Sequence, residues 1–141
     1  MKKTLRNILE VKLVFDTNIF ISAIVIPRSK AAKAILRIIE GNDSLIISSD
    51  IMNEVLLVLS TKFHRDREAI SHVALYLSDL AKMVKPTKKI RILADEPDNR
   101  VLECALFGKA DAVVTGDKEM LKLKNFEGIK IMSLKEYLEK P

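Results

Sequence analysis

Short apolar runs alternate with longer helix-patterned segments along the chain, and this alternation constrains the fold more than any other feature. Val11–Phe15 is strand-like and ends at Asp16; helical residues follow to about Val25, and Pro27 stops them. Ser29 is placed to cap a helix over Lys30–Glu40, with Ala31, Ala34, Ile35 and Ile38 on one face and Gly41 as its stop. Leu45–Ile47 reads as a second strand. Ser49 or Asp50 then caps a helix to about Ser60, and a long helix is expected from Asp66 to Met83. Tyr76, Leu80 and Met83 add a second apolar stripe to that helix, as expected of a buried helix or a subunit contact. Val84–Pro86 and Ile90–Leu93 are short extended candidates. A helix over Pro97–Phe107 ends at Gly108. Strand Asp111–Val114, helix Asp117–Leu123, a turn at Asn125–Gly128, strand Ile129–Met132 and helix Leu134–Lys140 complete the order. Strands separated by helices predict an α/β chain: a mainly parallel sheet with helices on both faces. At 141 residues the expectation is one domain over 1–141.

Composition removes several function classes. One cysteine excludes a disulfide framework and any zinc site built on several thiolates. Cys104 lies between Leu102 and Leu106 and reads as a small core residue. His64 and His72 stand at no metal-ligand spacing and read as surface residues. The longest mostly apolar run, Ile19–Ile26, is interrupted by Ser22 and is far short of the ~20 residues of a membrane span. The basic start Met1-Lys2-Lys3 has no apolar segment and cleavage site behind it, so a cytoplasmic protein without a signal peptide is expected.

In open parallel sheets, ligands bind at the carboxyl ends of the strands. Asp16 directly follows the first strand, and Asp117 follows Val113–Val114 through Thr115 and Gly116. Asp98 lies in the first turn of the helix starting near Pro97, with Val101 and Leu102 next on its face, so it is directed to the core side. Glu54 falls beside the apolar stripe of its helix. Taken singly, Asp117 is a helix cap, Asp98 a first-turn residue favoured by the helix dipole, and Glu54 a solvated helix residue. As a set, the four carboxylates come from four segments, and three of them lie near the carboxyl ends of the sheet. Converging like charges need a cation or raised pKa values, and an all-oxygen donor set selects Mg²⁺ or Mn²⁺.

Val14-Phe15-Asp16-Thr17-Asn18, Ser48-Ser49-Asp50-Ile51 with Glu54, Asp95-Glu96-Pro97-Asp98-Asn99 with Leu102-Glu103-Cys104-Ala105, and Lys109–Asp117 together resemble the PIN domain family. The closest likeness is to the VapC-like prokaryotic group, the toxin components of toxin–antitoxin systems. The resemblance runs from about Lys12 to Leu138. It implies an α/β/α sandwich, with the domain core at about 12–138, and a metal-dependent ribonuclease. It also implies a homodimer and a small antitoxin partner. Carried over by position, Asp16, Glu54, Asp98 and Asp117 correspond to the family's acidic quartet, and Asn18 and Thr115 to its supporting polar positions. Glu96-Pro97 departs from the Pro-Asp common in relatives, which leaves Asp98 as the expected ligand and Asp95 as an N-cap or supporting residue.

Under this reading Asp16, Asp98 and Asp117 bind metal directly or through water, and Glu54 binds metal or orients the attacking water. Thr115 holds a ligand carboxylate or that water, and Asn18 fixes the Asp16 carboxylate. Cleavage would leave a 5′-phosphate and a 3′-hydroxyl. The net charge of +5 fits an RNA substrate, and Lys82, Lys85, Lys88, Lys89 and Arg91 occupy one stretch without an acid. Lys30, Lys33 and Arg37 share a helical face, and Lys62, His64, Arg65 and Arg67 cluster around a turn. Two other classes are disfavoured. An aspartyl phosphatase needs a second Asp where Asn18 stands, and a receiver domain needs an acidic pair near the first strand end. The alternative kept is a PIN-like module that binds RNA or protein without cleaving.

Overall fold

The computed structural model describes residues 10–140, so the basic start Met1–Lys3 lies outside the described residues. Six strands form one sheet: β1 (Lys12–Phe15), β2 (Ser44–Ser48), β3 (Lys82–Val84), β4 (Ala112–Val114), β5 (Asn125–Phe126) and β6 (Ile129–Met132). Their spatial order is β3-β2-β1-β4-β6-β5, parallel throughout except for β5, which runs antiparallel to β6. The helices are α1 (Thr17–Val25), α2 (Lys30–Ile39), α3 (Ser49–Thr61), α4 (Arg67–Leu80), α5 (Glu96–Phe107), α6 (Lys118–Leu121) and α7 (Leu134–Glu139). The architecture is the α/β/α arrangement expected from the order of elements.

The central strands are apolar without alternation because helices cover both faces of a parallel sheet. Leu13, Val14 and Phe15 are wholly buried, as are Ile47, Val113 and Val114. In register, Val14 stands between Ile46 and Val113. From β1 the chain builds outward through β2 and β3, then returns to the other side of β1 with β4. The strand order therefore reverses between β1 and β4, and that switch point opens a crevice at the carboxyl ends of these two strands.

Helix α5 packs on β1, β2 and β4, and α3 packs against both α1 and α5. At the far end, Tyr137 of α7 donates its hydroxyl proton to Asp43 (2.6 Å), sets its ring edge-on to Phe15 and carries the Arg37 guanidinium over its face. Cys104 is buried as expected, and burial pushes its thiol up to about 12.

Several expected boundaries are corrected. The helix expected over Asp66–Met83 ends at Leu80, and Lys82–Val84 is instead the edge strand β3, paired with Ile46–Ser48. Pairing with a neighbouring strand overrides the helical pattern there. The second apolar stripe therefore does not belong to a buried helix: Leu77 alone is buried on α4, Leu75 and Tyr76 are exposed, and Met83 is on a strand. Ser48, not Ser49 or Asp50, caps α3 by accepting from the Ile51 amide (3.2 Å). Ile90–Leu93 forms no strand. Among the described residues, no helix is long and apolar enough to cross a membrane.

Gly108 closes α5 where the chain turns toward β4. A Cβ built there would stand 2.8 Å from Ile46 Cγ2 and 2.9 Å from the Cys104 carbonyl oxygen. The backbone contact cannot relax as a side chain could. Gly108→Ala is therefore expected to lower stability by about 1–3 kcal/mol, the usual cost of overpacking. Urea unfolding checks this, and a variant as stable as the parent would show that α5 is free to move away from β2.

Candidate active site

Asp16 is carried past the end of β1 and is the N-cap residue of α1. Its backbone amide still donates to the Val114 carbonyl (3.0 Å), so the ladder to β4 extends one residue beyond the strand. The carboxylate is 4% exposed. It accepts from the Thr115 hydroxyl at Oδ2 (2.6 Å) and from the Asn18 amide at Oδ1 (3.2 Å). Thr115 follows β4 and is itself wholly buried. Its Oγ1 also accepts from the Asp117 amide (3.0 Å), and Asp117 Oδ1 caps α6 by accepting from the Met120 amide (2.9 Å). One threonine thus couples the loop after β4 to the acid after β1. The Asn18 side chain is exposed; the bond to Asp16 comes from its backbone, which any residue but proline would supply.

Asp98, in the first turn of α5, is buried. Burial, then the charges of Asp117, Asp95 and Asp16, push its carboxyl up to about 7. Asp16 is also raised, chiefly by burial; the bonds from Thr115 and Asn18 work the other way, and the charges of Asp117 and Asp95 add to the rise. The structure thus brings Asp16, Asp95, Asp98 and Asp117 within electrostatic reach of one another. Asp95 occupies the N-cap position of α5 but makes no capping bond with its side chain, so it remains available to the crevice. Neither Asp16 nor Asp98 has a cationic partner among the described residues; Arg100, on the same helix as Asp98, is bound to Glu96 and Glu103.

Glu54 stands apart. It is half-buried on α3 and lines a cavity of about 210 Å³ with Thr17, Asp50, Ile51, Glu96, Pro97 and Arg100. Thr17 and Pro97 are the chain neighbours of Asp16 and Asp98, so this cavity borders the acidic crevice, but Glu54 is not among the charges that raise either acid. Among the described residues, no three Asp, Glu, His or Cys side chains are already gathered closely enough to hold a metal ion. The donor set nonetheless fits a hard divalent cation, since it offers only oxygens and carries negative charge that nothing nearby neutralises.

Lys85, Lys88, Lys89 and Arg91 are all exposed on the loop between β3 and α5. Arg37 departs from the face it was expected to share with Lys30 and Lys33: it is half-buried, and its Nη1 donates to the Tyr137 carbonyl (3.0 Å). Sequence reasoning passed over the buried pair Asn99 and Glu103. The available signal was a charged residue inside the apolar run Val101-Leu102-Glu103-Cys104-Ala105.

An open α/β sheet of this class places its ligand crevice at the carboxyl ends of the switch-point strands, which is where these carboxylates stand. The PIN domain family model matches residues 12–119, and the chain belongs to that family. The chain is 27% identical over 143 residues to the uncharacterized protein MJ1680 of Methanocaldococcus jannaschii, covering 93% of this chain and 92% of that one. Its fold is similar to the crystal structure of VapBC2 from Rickettsia felis bound to a DNA fragment from their promoter (TM-score 0.65, 18% identity, 86% of this chain and 98% of that chain).

The raised Asp98 carboxyl makes stability depend on pH. The unfolded chain releases this proton near 3.8, the folded chain near 7. Between those values the folded state binds more protons, so this group makes the metal-free protein lose stability as pH rises from about 4 to 7. Asp98→Asn is expected to raise the melting temperature of metal-free protein at pH 8 and to flatten that decline. A variant less stable than the parent at pH 8 would mean the acidic repulsion is relieved by other means.

Proposed function

We propose that this chain is a metal-dependent endoribonuclease, acting as a single catalytic domain in the cytosol and forming the toxin half of a toxin–antitoxin pair. PIN domains are generally nucleases, and the family membership supports hydrolysis of RNA phosphodiester bonds. The observation that carries the reading is the burial of Asp16, held by Thr115, and of Asp98 in one crevice with Asp95 and Asp117, with no cation to offset them; burial first, and then the neighbouring acids, raise both carboxyls. A fold does not keep such a cluster for stability, since each charge raises the free energy of its neighbours.

A bound Mg²⁺ or Mn²⁺ would supply charge relief on the phosphoryl oxygens and a nucleophilic water at neutral pH. Asp16, Asp98 and Asp117 would hold it, with Glu54 either joining them or orienting the water. Thr115 fixes the rotamer of Asp16 and the path of the Asp117 backbone, so the two acids move as a unit. Asp95 adds negative charge that strengthens cation capture. The exposed Lys85, Lys88, Lys89 and Arg91 would bind RNA phosphates.

Protein partners are proposed on separate grounds. An apolar groove of about 360 Å³ between α1, α2 and α4, lined by Phe20, Ile24, Ile35, Leu36, Ile39 and Tyr76, supports docking of another chain. The relative of similar fold was crystallised as VapBC2 with promoter DNA. The groove's proposed occupant is a small antitoxin, and a second copy of this chain is proposed as a further partner.

Metal-ion catalysis is worth several kcal/mol of transition-state stabilisation, or about a thousandfold or more in rate. Asp16→Asn and EDTA should each abolish cleavage of a structured RNA panel at that level, and Mg²⁺ or Mn²⁺ should restore the EDTA-treated protein. The products should carry 5′-phosphates. Full activity in Asp16→Asn, with unchanged circular dichroism, would sink the assignment.

A further inference from the structure

The loop between β3 and α5 carries the basic residues but has no helix or strand over 85–92. Such a segment must find partners for its backbone groups outside a ladder. It finds them in two buried side chains of α5. Asn99 is wholly buried and uses its full hydrogen-bonding capacity. Its Oδ1 accepts from the amides of Leu93 (2.9 Å) and Ile92 (3.3 Å), and its Nδ2 donates to the Leu93 carbonyl (2.8 Å) and to Glu96 Oε1 (3.3 Å). Glu103, 1% exposed, accepts from the Ile90 amide (2.7 Å) and from Arg100 Nη2 (2.6 Å). Arg100 Nη2 in turn donates to the Ile90 carbonyl (3.1 Å). Both backbone groups of Ile90 and both of Leu93 are thereby held from α5, the helix that also carries Asp98.

We propose that Asn99 and the Glu103–Arg100 pair are positioning residues for RNA binding: they clamp the irregular loop so that Lys88, Lys89 and Arg91 stand at a fixed distance from the acidic crevice. Chain geometry limits that distance. Arg91 is four residues before Asp95, a reach of at most about 14 Å. A charged buried residue is a costly way to fix a loop, and a plain turn would serve if the loop only connected two elements. The clamp instead ties the cationic segment and an acid of the site to one rigid helix, which is what aligning a polyanion across both requires. The inference rests on the nuclease reading only for the identity of the ligand as RNA.

The test is RNA binding by the full chain in the Asp16→Asn background with Mg²⁺, read by fluorescence anisotropy of a labelled single strand. Three proteins are compared with that parent: the loop variant Lys88→Ala/Lys89→Ala/Arg91→Ala, the clamp variant Asn99→Leu, and their combination. The loop variant should bind roughly tenfold or more weakly, and its slope of log affinity against log salt should fall by about 2, as for three lost phosphate contacts. Asn99→Leu should lose affinity and salt slope in the same sense, and the amides of Ile90, Ile92 and Leu93 should exchange faster with solvent. The combination should bind no worse than the loop variant alone, because a clamp has nothing to position once the charges are gone. A general structural defect would instead multiply the two losses.

The proposal is overturned if Asn99→Leu exchanges faster at the loop yet binds with the parent's affinity and slope, or if the losses multiply. Should Asn99→Leu fail to fold, Arg100→Gln carries the same comparisons, since it takes the guanidinium donor from the Ile90 carbonyl and so loosens the loop from α5. Loop-dependent binding in a wild-type protein that never cleaves RNA would end the nuclease reading and leave the clamp standing. Asp16-dependent cleavage with a loop variant that binds normally would do the reverse.

Discussion

Repulsion between carboxylates in a place that water reaches poorly is the constraint on which the rest of the molecule turns. Asp16 is nearly inaccessible, yet it lies close enough to Asp95 and Asp117 for their charges to raise its carboxyl, and Asp98 is raised by all three. Each acid alone has an ordinary local use, as a cap or a first-turn residue. Together they oppose folding unless protonated or matched by a cation. The hydrogen bonds at the crevice offset this only in part. Thr115 and the Asn18 amide favour ionised Asp16, but no comparable bond serves Asp98, and the two acids differ in the remedy available to them.

The fold creates this situation through strand order. Because β1 and β4 are neighbours while ninety-six residues separate Phe15 from Ala112 in sequence, the segments leaving their ends diverge toward different helices and open a cleft. Thr115 bridges that cleft from the β4 side to the β1 side. The bridge is short because the backbone ladder between the strands continues to Asp16, so the carboxylate and the hydroxyl inherit the register of the sheet. α5 then delivers Asp98 from above β1, β2 and β4. Precision at the site thus derives from the sheet, and its charge from the loops.

Much of this was legible in the sequence, and what was not fails for identifiable reasons. The alternation of elements gave the α/β class, and the places of Asp16, Thr115 and Asp117 at strand ends followed from it. The end of α4 was misread because Lys82 and Met83 continue its helical spacing; only pairing with Ile46 and Ile47, far away in sequence, makes them a strand. Glu54 was grouped with the other acids by resemblance and helical angle, whereas in three dimensions it faces an adjoining cavity, a distinction that depends on the crossing of α3 and α5. Asn18 holds the Asp16 carboxylate through its backbone amide, and one-dimensional patterns cannot say whether backbone or side chain makes such a bond. Ile90–Leu93 carried an apolar signal for a strand, but its amides bind side chains of α5, because β3 already forms that edge of the sheet.

Charge on this molecule is sorted by depth as well as by sign. The acids of the crevice include two that are buried, while the lysines and Arg91 of the adjoining loop are exposed. At physiological salt, exposed charges act over about 8 Å, so the loop's cations attract a polyanion only once it is near the surface, and they do little to neutralise the sunken acids. Buried charges are screened far less, so the repulsion within the crevice persists at salt concentrations that weaken the loop's attraction. In the proposed nuclease, an RNA backbone held by the loop would therefore still meet an unneutralised negative site a few residues away. Under that reading a small multivalent cation would be what enters the site and faces both the acids and a phosphate, and the cation, not the basic surface, would join binding to chemistry.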